Sequence, residues 1–211
     1  FDIYRQELGQ VIAGPETPGE RIRVEGMVLD GTGAPVKDVL LEVWQADAAG
    51  IYPHSEDPRA AEVAPGFRGW GRVITDFDTG LWGFDTIKPG VVMGRNGRPM
   101  APHVTLWIVA RGINIGLNTR MYFEDEDNGA DPVMNLIEQT HRRETLLARK
   151  VAPGRSLYRD MDPIATLDST AEALIRLTTN RFVTVDGGKT DRYQRRVGIV
   201  RIAPPDCVSC A

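Results

Sequence analysis

One stretch constrains the fold of this chain more than any other, the strict alternation from Arg21 to Leu29. Ile22, Val24, Gly26 and Val28 fall on one side, and Arg21, Arg23 and Glu25 on the other. A period of two residues is the signature of a half-buried β-strand, and a strand with one apolar face needs a second layer to cover it. Asp30-Gly31-Thr32-Gly33 is turn chemistry. Val39 to Gln45 follows, rich in apolar and β-branched residues and carrying Trp44, so it reads as a second strand. The two predict an opening hairpin. Further strands are expected at 72–76 and 81–87, split by a turn at Asp78-Thr79-Gly80. Others are expected from His103 to Ala110 and from Thr119 to Glu124. Many short strands punctuated by glycine and proline predict a mainly β chain, an antiparallel β-sandwich.

Between the strands lie two long loops. Residues 46–71 carry Gly50, Pro53, Pro58, Pro65, Gly66, Gly69 and Gly71. Residues 88–102 carry Pro89, Gly90, Gly94, Gly97, Pro99 and Pro102. Loops of this length in a compact domain tend to be functional, so the chemistry is expected there. Asp131-Pro132 has the form of an N-cap followed by proline at the first helical position. One or two short helices are expected between it and Lys150, with Leu146 and Leu147 on their apolar side. Residues 1–20 read as an N-terminal arm, 21–159 as the sandwich domain, and 160–211 as a C-terminal segment of different character. In that segment Ser169-Thr170-Ala171-Glu172 suits a helix cap. Arg181–Val185 and Tyr193–Ile202 suit a hairpin turning at Asp186-Gly187-Gly188.

Composition excludes several classes. Hydrophobic residues make up 42% of the chain, enough for a sizeable core. The formal net charge of −4 is the wrong sign for a nucleic-acid footprint. No apolar run approaches the roughly 18–20 residues of a membrane span. The chain opens at Phe1 without a secretory pattern, and a cytoplasmic location is expected. Cys207 and Cys210 near the end read as tail thiols, because a zinc site would need two more matching ligands. Glu124-Asp125-Glu126-Asp127 lacks the alternating ligands and central glycine of a calcium loop and reads as a solvated loop. The histidines are His54 in the first long loop, His103 at the start of a strand, and His141 in a basic surface stretch. Taken singly, each is most simply structural.

Together, several motifs say more. Leu41-Glu42-Val43-Trp44-Gln45-Ala46-Asp47 with Gly50-Ile51-Tyr52 resembles the intradiol ring-cleavage dioxygenases. So do Thr86-Ile87-Lys88-Pro89-Gly90, Ala101-Pro102-His103, Ala110-Arg111-Gly112-Ile113-Asn114-Ile115 and Thr119-Arg120-Met121-Tyr122-Phe123. The resemblance covers about residues 20–159. It implies a β-sandwich of the intradiol dioxygenase type with one or two short helices. It also implies an Fe(III) enzyme that inserts O2 between the two hydroxyl-bearing carbons of a catechol. The family's iron is held by two tyrosines and two histidines, the histidines at i and i+2 of one strand and so on one face. Carried over by motif, the first tyrosine is Tyr52 and the first histidine His103. Val92 stands where the second tyrosine belongs, two positions after Lys-Pro-Gly, and Thr105 where the second histidine belongs.

That half-empty set is similar to the α-type chains of the family's protocatechuate-cleaving members, which work with a β-type partner. The resemblance implies that the partner holds the Fe(III), that this chain has no complete catalytic set, and that Tyr52, Val92, His103 and Thr105 form a pseudo-site. It also implies that Arg111 meets the carboxylate of protocatechuate across the interface, an ordinary surface arginine being the alternative. Ala13-Gly14-Pro15-Glu16-Thr17 is a faint echo of the family's Thr-Pro-x-Gln-Thr-x-Gly-Pro-Tyr segment, which either lies before Phe1 or is missing. Two other functions stay open. One is a self-sufficient intradiol dioxygenase using Tyr52, His103 and His54. The other is a transthyretin-like β-sandwich module without enzymatic activity.

Overall fold

The structure is a computed structural model. It describes residues 9, 11–30, 33–94, 97–111, 115–152, 155–160, 164–167, 183–190 and 196–202. The chain divides into two units, Phe1–Thr166 and Leu167–Ala211. The first is built from β1 (Arg21–Asp30), β2 (Val39–Gln45), β3 (Trp70–Ile74), β4 (Leu81–Ile87), β5 (Val92–Met93), β6 (Pro99–Met100), β7 (His103–Ala110), β8 (Leu117–Phe123), β9 (Leu147–Ala152), β10 (Arg155–Asp160) and β11 (Ile164–Leu167). One half of the sandwich carries β3, β2, β7 and β8, and the other β9, β10, β1 and β4. A short parallel pairing, Tyr122 with Leu147 and Phe123 with Ala148, joins the halves. A second parallel pairing, between β1 and β10, lies within the latter half.

The alternation of β1 is realised as expected, with Ile22, Val24, Gly26 and Val28 all buried. On β2 the inward set is Val39, Leu41, Val43 and Gln45. The opening hairpin does not form. The turn does close, because the Asp30 amide donates to the Ala34 carbonyl and the Val36 amide to that of Val28. The ladder stops there. β1 pairs with β4 and β10, while β2 pairs with β3 and β7. Side-by-side pairing would leave two apolar faces without cover, whereas placing the strands in opposite halves turns those faces toward each other. Gln45 marks the meeting of the halves. Its amide nitrogen donates to the Ile87 carbonyl and its oxygen accepts from the Thr86 hydroxyl, both on β4.

Residues 11–20 lie against this sandwich. Ile12 is fully buried, and its amide donates to the Asp85 carbonyl. The Arg21 guanidinium gathers the carbonyls of Ala13, Gly14, Pro15 and Thr17, fixing the turn that returns the chain to β1. The expected helical region is reduced to a 3-10 turn, Met134–Leu136, and a single helix α1 (Thr140–Glu144). Leu146 and Leu147 are not helical, since Leu147 opens β9 and pairs with β8. Their apolar character serves a small second core with Ala101, Tyr122 and Met134 on the outer side of β7 and β8.

In the second unit β12 (Val183–Thr190) pairs antiparallel with β13 (Arg196–Ile202). Asp186-Gly187-Gly188 is not the turn. It lies inside β12, where the register shifts between Asp186 and Lys189, the bulge role that glycine often plays in strands. The expected cap at Ser169–Glu172 and the two cysteines lie outside the described residues.

Candidate functional site

The site forms on the outer face of the β2–β7–β8 layer. On β7 the core takes Val104, Leu106, Ile108 and Ala110, so His103, Thr105 and Trp107 point the other way. His103 is nevertheless only 1% exposed, because flanking segments cover it. The first long loop brings Tyr52 over it from one side, and Tyr122 packs beside it with ring centroids 5.8 Å apart. That loop is held from beneath by Asp47. One carboxylate oxygen accepts from the amides of Ala49 and Ile51, and the other from that of Ala64. Tyr52 then stacks on Trp44 with centroids 5.5 Å apart and planes 4° from parallel. These contacts explain the Trp-Gln-Ala-Asp run. Trp44 supports the tyrosine, Gln45 links the halves, and Asp47 shapes the loop.

The Tyr52 hydroxyl lies 3.4 Å from Nε2 of His103, so the structure brings together the two residues expected to remain from a ligand set. Nδ1 of His103 is 2.7 Å from the Ala101 carbonyl oxygen. A carbonyl only accepts, so Nδ1 carries the proton and Nε2 offers its lone pair to the Tyr52 hydroxyl. This is the tautomer a metal-ligating histidine needs. Burial lowers the His103 pKa and raises that of Tyr52, and both shifts keep the pair neutral. Asp131 anchors the approach to His103. It is buried, accepts from the Ala101 amide, and accepts from the Tyr122 hydroxyl and the amides of Val133 and Met134. The sequence showed Asp131 only as a helix cap, since nothing local reveals its link to residue 101.

Val92 is buried on β5, opposite Met100 of β6. With Tyr52, Trp44 and Met100 it lines a cleft of about 600 Å³. Thr105 opens instead onto a neighbouring, mostly apolar cavity of about 420 Å³, lined also by Arg120, Tyr122, Val133 and Ile137. His54 is exposed. Its ring meets Trp44 edge-on, and its Nδ1 accepts from the Glu56 amide, which leaves no lone pair on Nε2 in the neutral ring. His141 is exposed on α1. Among the described residues no group of three or more His, Cys, Asp or Glu side chains is placed to hold a metal ion.

The residues present do not fit ferric iron. One phenol and one imidazole lie together, a threonine hydroxyl and an alkyl chain stand where the motif resemblance expects the other two ligands, and the Arg120 cation is opposite Thr105. The acidic run is more than a solvated loop. Asp125 and Glu126 pair with Lys88 at 2.9 and 2.6 Å. The Lys88 ammonium also sits over the rings of Phe123 and Tyr158. Arg111 lies beyond the far end of β7, eight positions or roughly 25 Å along the strand from His103. Its side chain is 86% exposed and its Nε is 2.8 Å from Asp38.

Comparison with known proteins gives this arrangement its context. The family model described as Dioxygenase matches residues 4–152. The protocatechuate 3,4-dioxygenase alpha chain of Pseudomonas putida is 50% identical over 157 residues, 73% of this chain and 76% of that protein. The protocatechuate 3,4-dioxygenase beta chain of Burkholderia cepacia is 44% identical over 110 residues, covering 51% of this chain and 46% of that one. Among solved structures, 3-chlorocatechol 1,2-dioxygenase from Rhodococcus opacus 1CP superposes with a TM-score of 0.52 at 24% identity. That match covers 71% of this chain and 61% of that one, and it shows the shared β-sandwich. With the strand order, the Tyr52–His103 pair and these matches in agreement, the chain belongs to the family of intradiol ring-cleaving dioxygenases.

Proposed function

We propose that this chain is the α-type subunit of a protocatechuate 3,4-dioxygenase whose Fe(III) is held by a β-type partner. The enzyme cleaves protocatechuate between its hydroxyl-bearing carbons with O2 to give 3-carboxy-cis,cis-muconate. The observation that carries the reading is the conjunction of Tyr52 and His103 in ligand-like geometry with Val92 and Thr105 at the remaining positions. It is supported by the 50% identity to an alpha chain. A partner of the beta-chain kind is supported by the likeness to such a chain as well. Among the described residues no helix is long and apolar enough to cross a membrane, and a cytoplasmic location goes with this reading.

In this assignment iron supplies the oxygen chemistry from the partner's site, and this chain supplies walls and charge. Arg111 is the charge. It is exposed, and among the described residues its ion pair is with Asp38 at the surface, so its guanidinium is available to a carboxylate presented by a neighbouring chain. The test of the assignment is metal content. The chain expressed alone should hold far less than one iron per chain and should not cleave protocatechuate. Co-expression with a chain carrying all four ligands should yield an iron-bearing complex that does. One iron per chain in the isolated protein would overturn the assignment. In the complex, Arg111→Ala should weaken protocatechuate binding by roughly 1.5–3 kcal/mol and leave catechol, which lacks the carboxylate, unaffected. Equal losses for both ligands would make Arg111 a packing residue.

A further inference from the structure

Two expected ligand positions are altered in this chain, and one side chain stands opposite the first and touches the partner of the second. Arg120 on β8 stands directly opposite Thr105 on β7 in the antiparallel register. From there its Nη1 reaches Met100 Sδ at 3.6 Å, and Met100 is the cross-strand partner of Val92. The guanidinium therefore extends from the position of the lost histidine to the neighbour of the position of the lost tyrosine. It lines the cavity under Thr105, while its partner Met100 lines the cleft under Tyr52 and Val92.

We infer that Arg120 is a fixed cation that excludes metal from the pseudo-site, so that replacing the two missing ligands is not enough to restore metal binding. The physical argument is charge and space. A metal held by Tyr52 and His103 would be a second positive charge close to a half-buried guanidinium, where screening by water is weak. A guanidinium cannot shed its proton to relieve the repulsion. Its planar fork, anchored on Met100, is also an obstacle to a new imidazole at 105 and a new phenol at 92. The inference rests on the reading that the native chain does not hold iron, yet the two fail separately. That reading fails if the native chain binds iron. This inference fails on the comparison of variants below.

The experiment compares full-length chains carrying Val92→Tyr and Thr105→His, with Arg120 kept, with the same pair plus Arg120→Gln, and with the same pair plus Arg120→Lys. Each is loaded with ferric iron and, separately, with zinc as a redox-silent probe. Metal per chain and the visible tyrosinate-to-iron absorption are read alongside thermal melting. The expected result is strong uptake only in the Gln variant, with at least tenfold weaker binding of both metals when arginine or lysine at position 120 supplies a charge. Equal metal binding with Arg120 kept and with Arg120→Gln would overturn the inference. So would strong binding with Arg120→Lys, because the charge would then not be the barrier. If Arg120→Gln melts early, Arg120→Met in the same background provides a second neutral variant, and a folded neutral variant that still refuses metal also overturns it.

Discussion

At the scale of single residues, the side chain that organises most of the site is Asp131. It is 1% exposed and faces the amides of Ala101, Val133 and Met134 and the Tyr122 hydroxyl, at 2.8 to 3.1 Å. Removing it would leave buried donors without acceptors, each costing about 1–3 kcal/mol. Asp131→Ala should therefore destabilise the chain by roughly 3–5 kcal/mol, read as a lower urea midpoint. Asp131→Asn, which keeps one oxygen, should lose clearly less. A loss below about 1 kcal/mol for the alanine variant would mean that water replaces the carboxylate there. Tyr52, Val92, His103 and Thr105 were legible as a set only through motif resemblance. Arg120 was visible as part of a motif, but its reach to Met100 depends on a pairing across strands.

At the scale of elements, β2, β4 and β7 keep the boundaries that alternation and turn residues predict, whereas β3 begins earlier, at Trp70. Its early start follows from pairing, since Trp70 sits opposite Trp44. The hairpin expectation failed because local turn chemistry says that a chain reverses but not which strand it then joins. Gly26 gives the element-scale prediction. It is opposite Trp82 in the β1–β4 ladder, and a Cβ built on it would run into the indole ring. Gly26→Ala should overpack this contact and cost about 1–3 kcal/mol, measured as a fall in melting temperature. Glycine commonly weakens a strand, so an alanine variant as stable as the native chain would show that the indole moves aside freely.

At the scale of the whole molecule, alkaline pH should act on several elements together. Tyr122 is buried and its pKa is pushed up to about 12, mainly by that burial. Burial alone would lower the Lys88 pKa, but its bonds to Glu126 and Asp125 outweigh burial and raise it. Both groups keep their protons in the folded chain at a pH where the unfolded chain releases them, about 10 for tyrosine and about 10.4 for lysine. The native state then binds more protons than the unfolded state, so stability falls as pH rises. The contribution is fully present below about pH 10 and is lost above it, with Tyr122 accounting for roughly 1–3 kcal/mol. Urea midpoints between pH 8 and 11 should fall, and Tyr122→Phe should flatten that fall. An unchanged slope in the variant would assign the alkaline loss to other groups.

By itself the sequence determined β1, β2, β4 and β7, because the two-residue period of apolar side chains is a local property that neighbours along the chain impose. Through its motifs it also determined the family. The tertiary structure decided what the motif positions mean together. It placed β1 and β2 in opposite halves, moved β9 out of the expected helix, and set Arg120 opposite Thr105 with its guanidinium against Met100, the partner of Val92. Such facts come from pairings between segments far apart in the chain, and these pairings are settled by which apolar faces can cover one another.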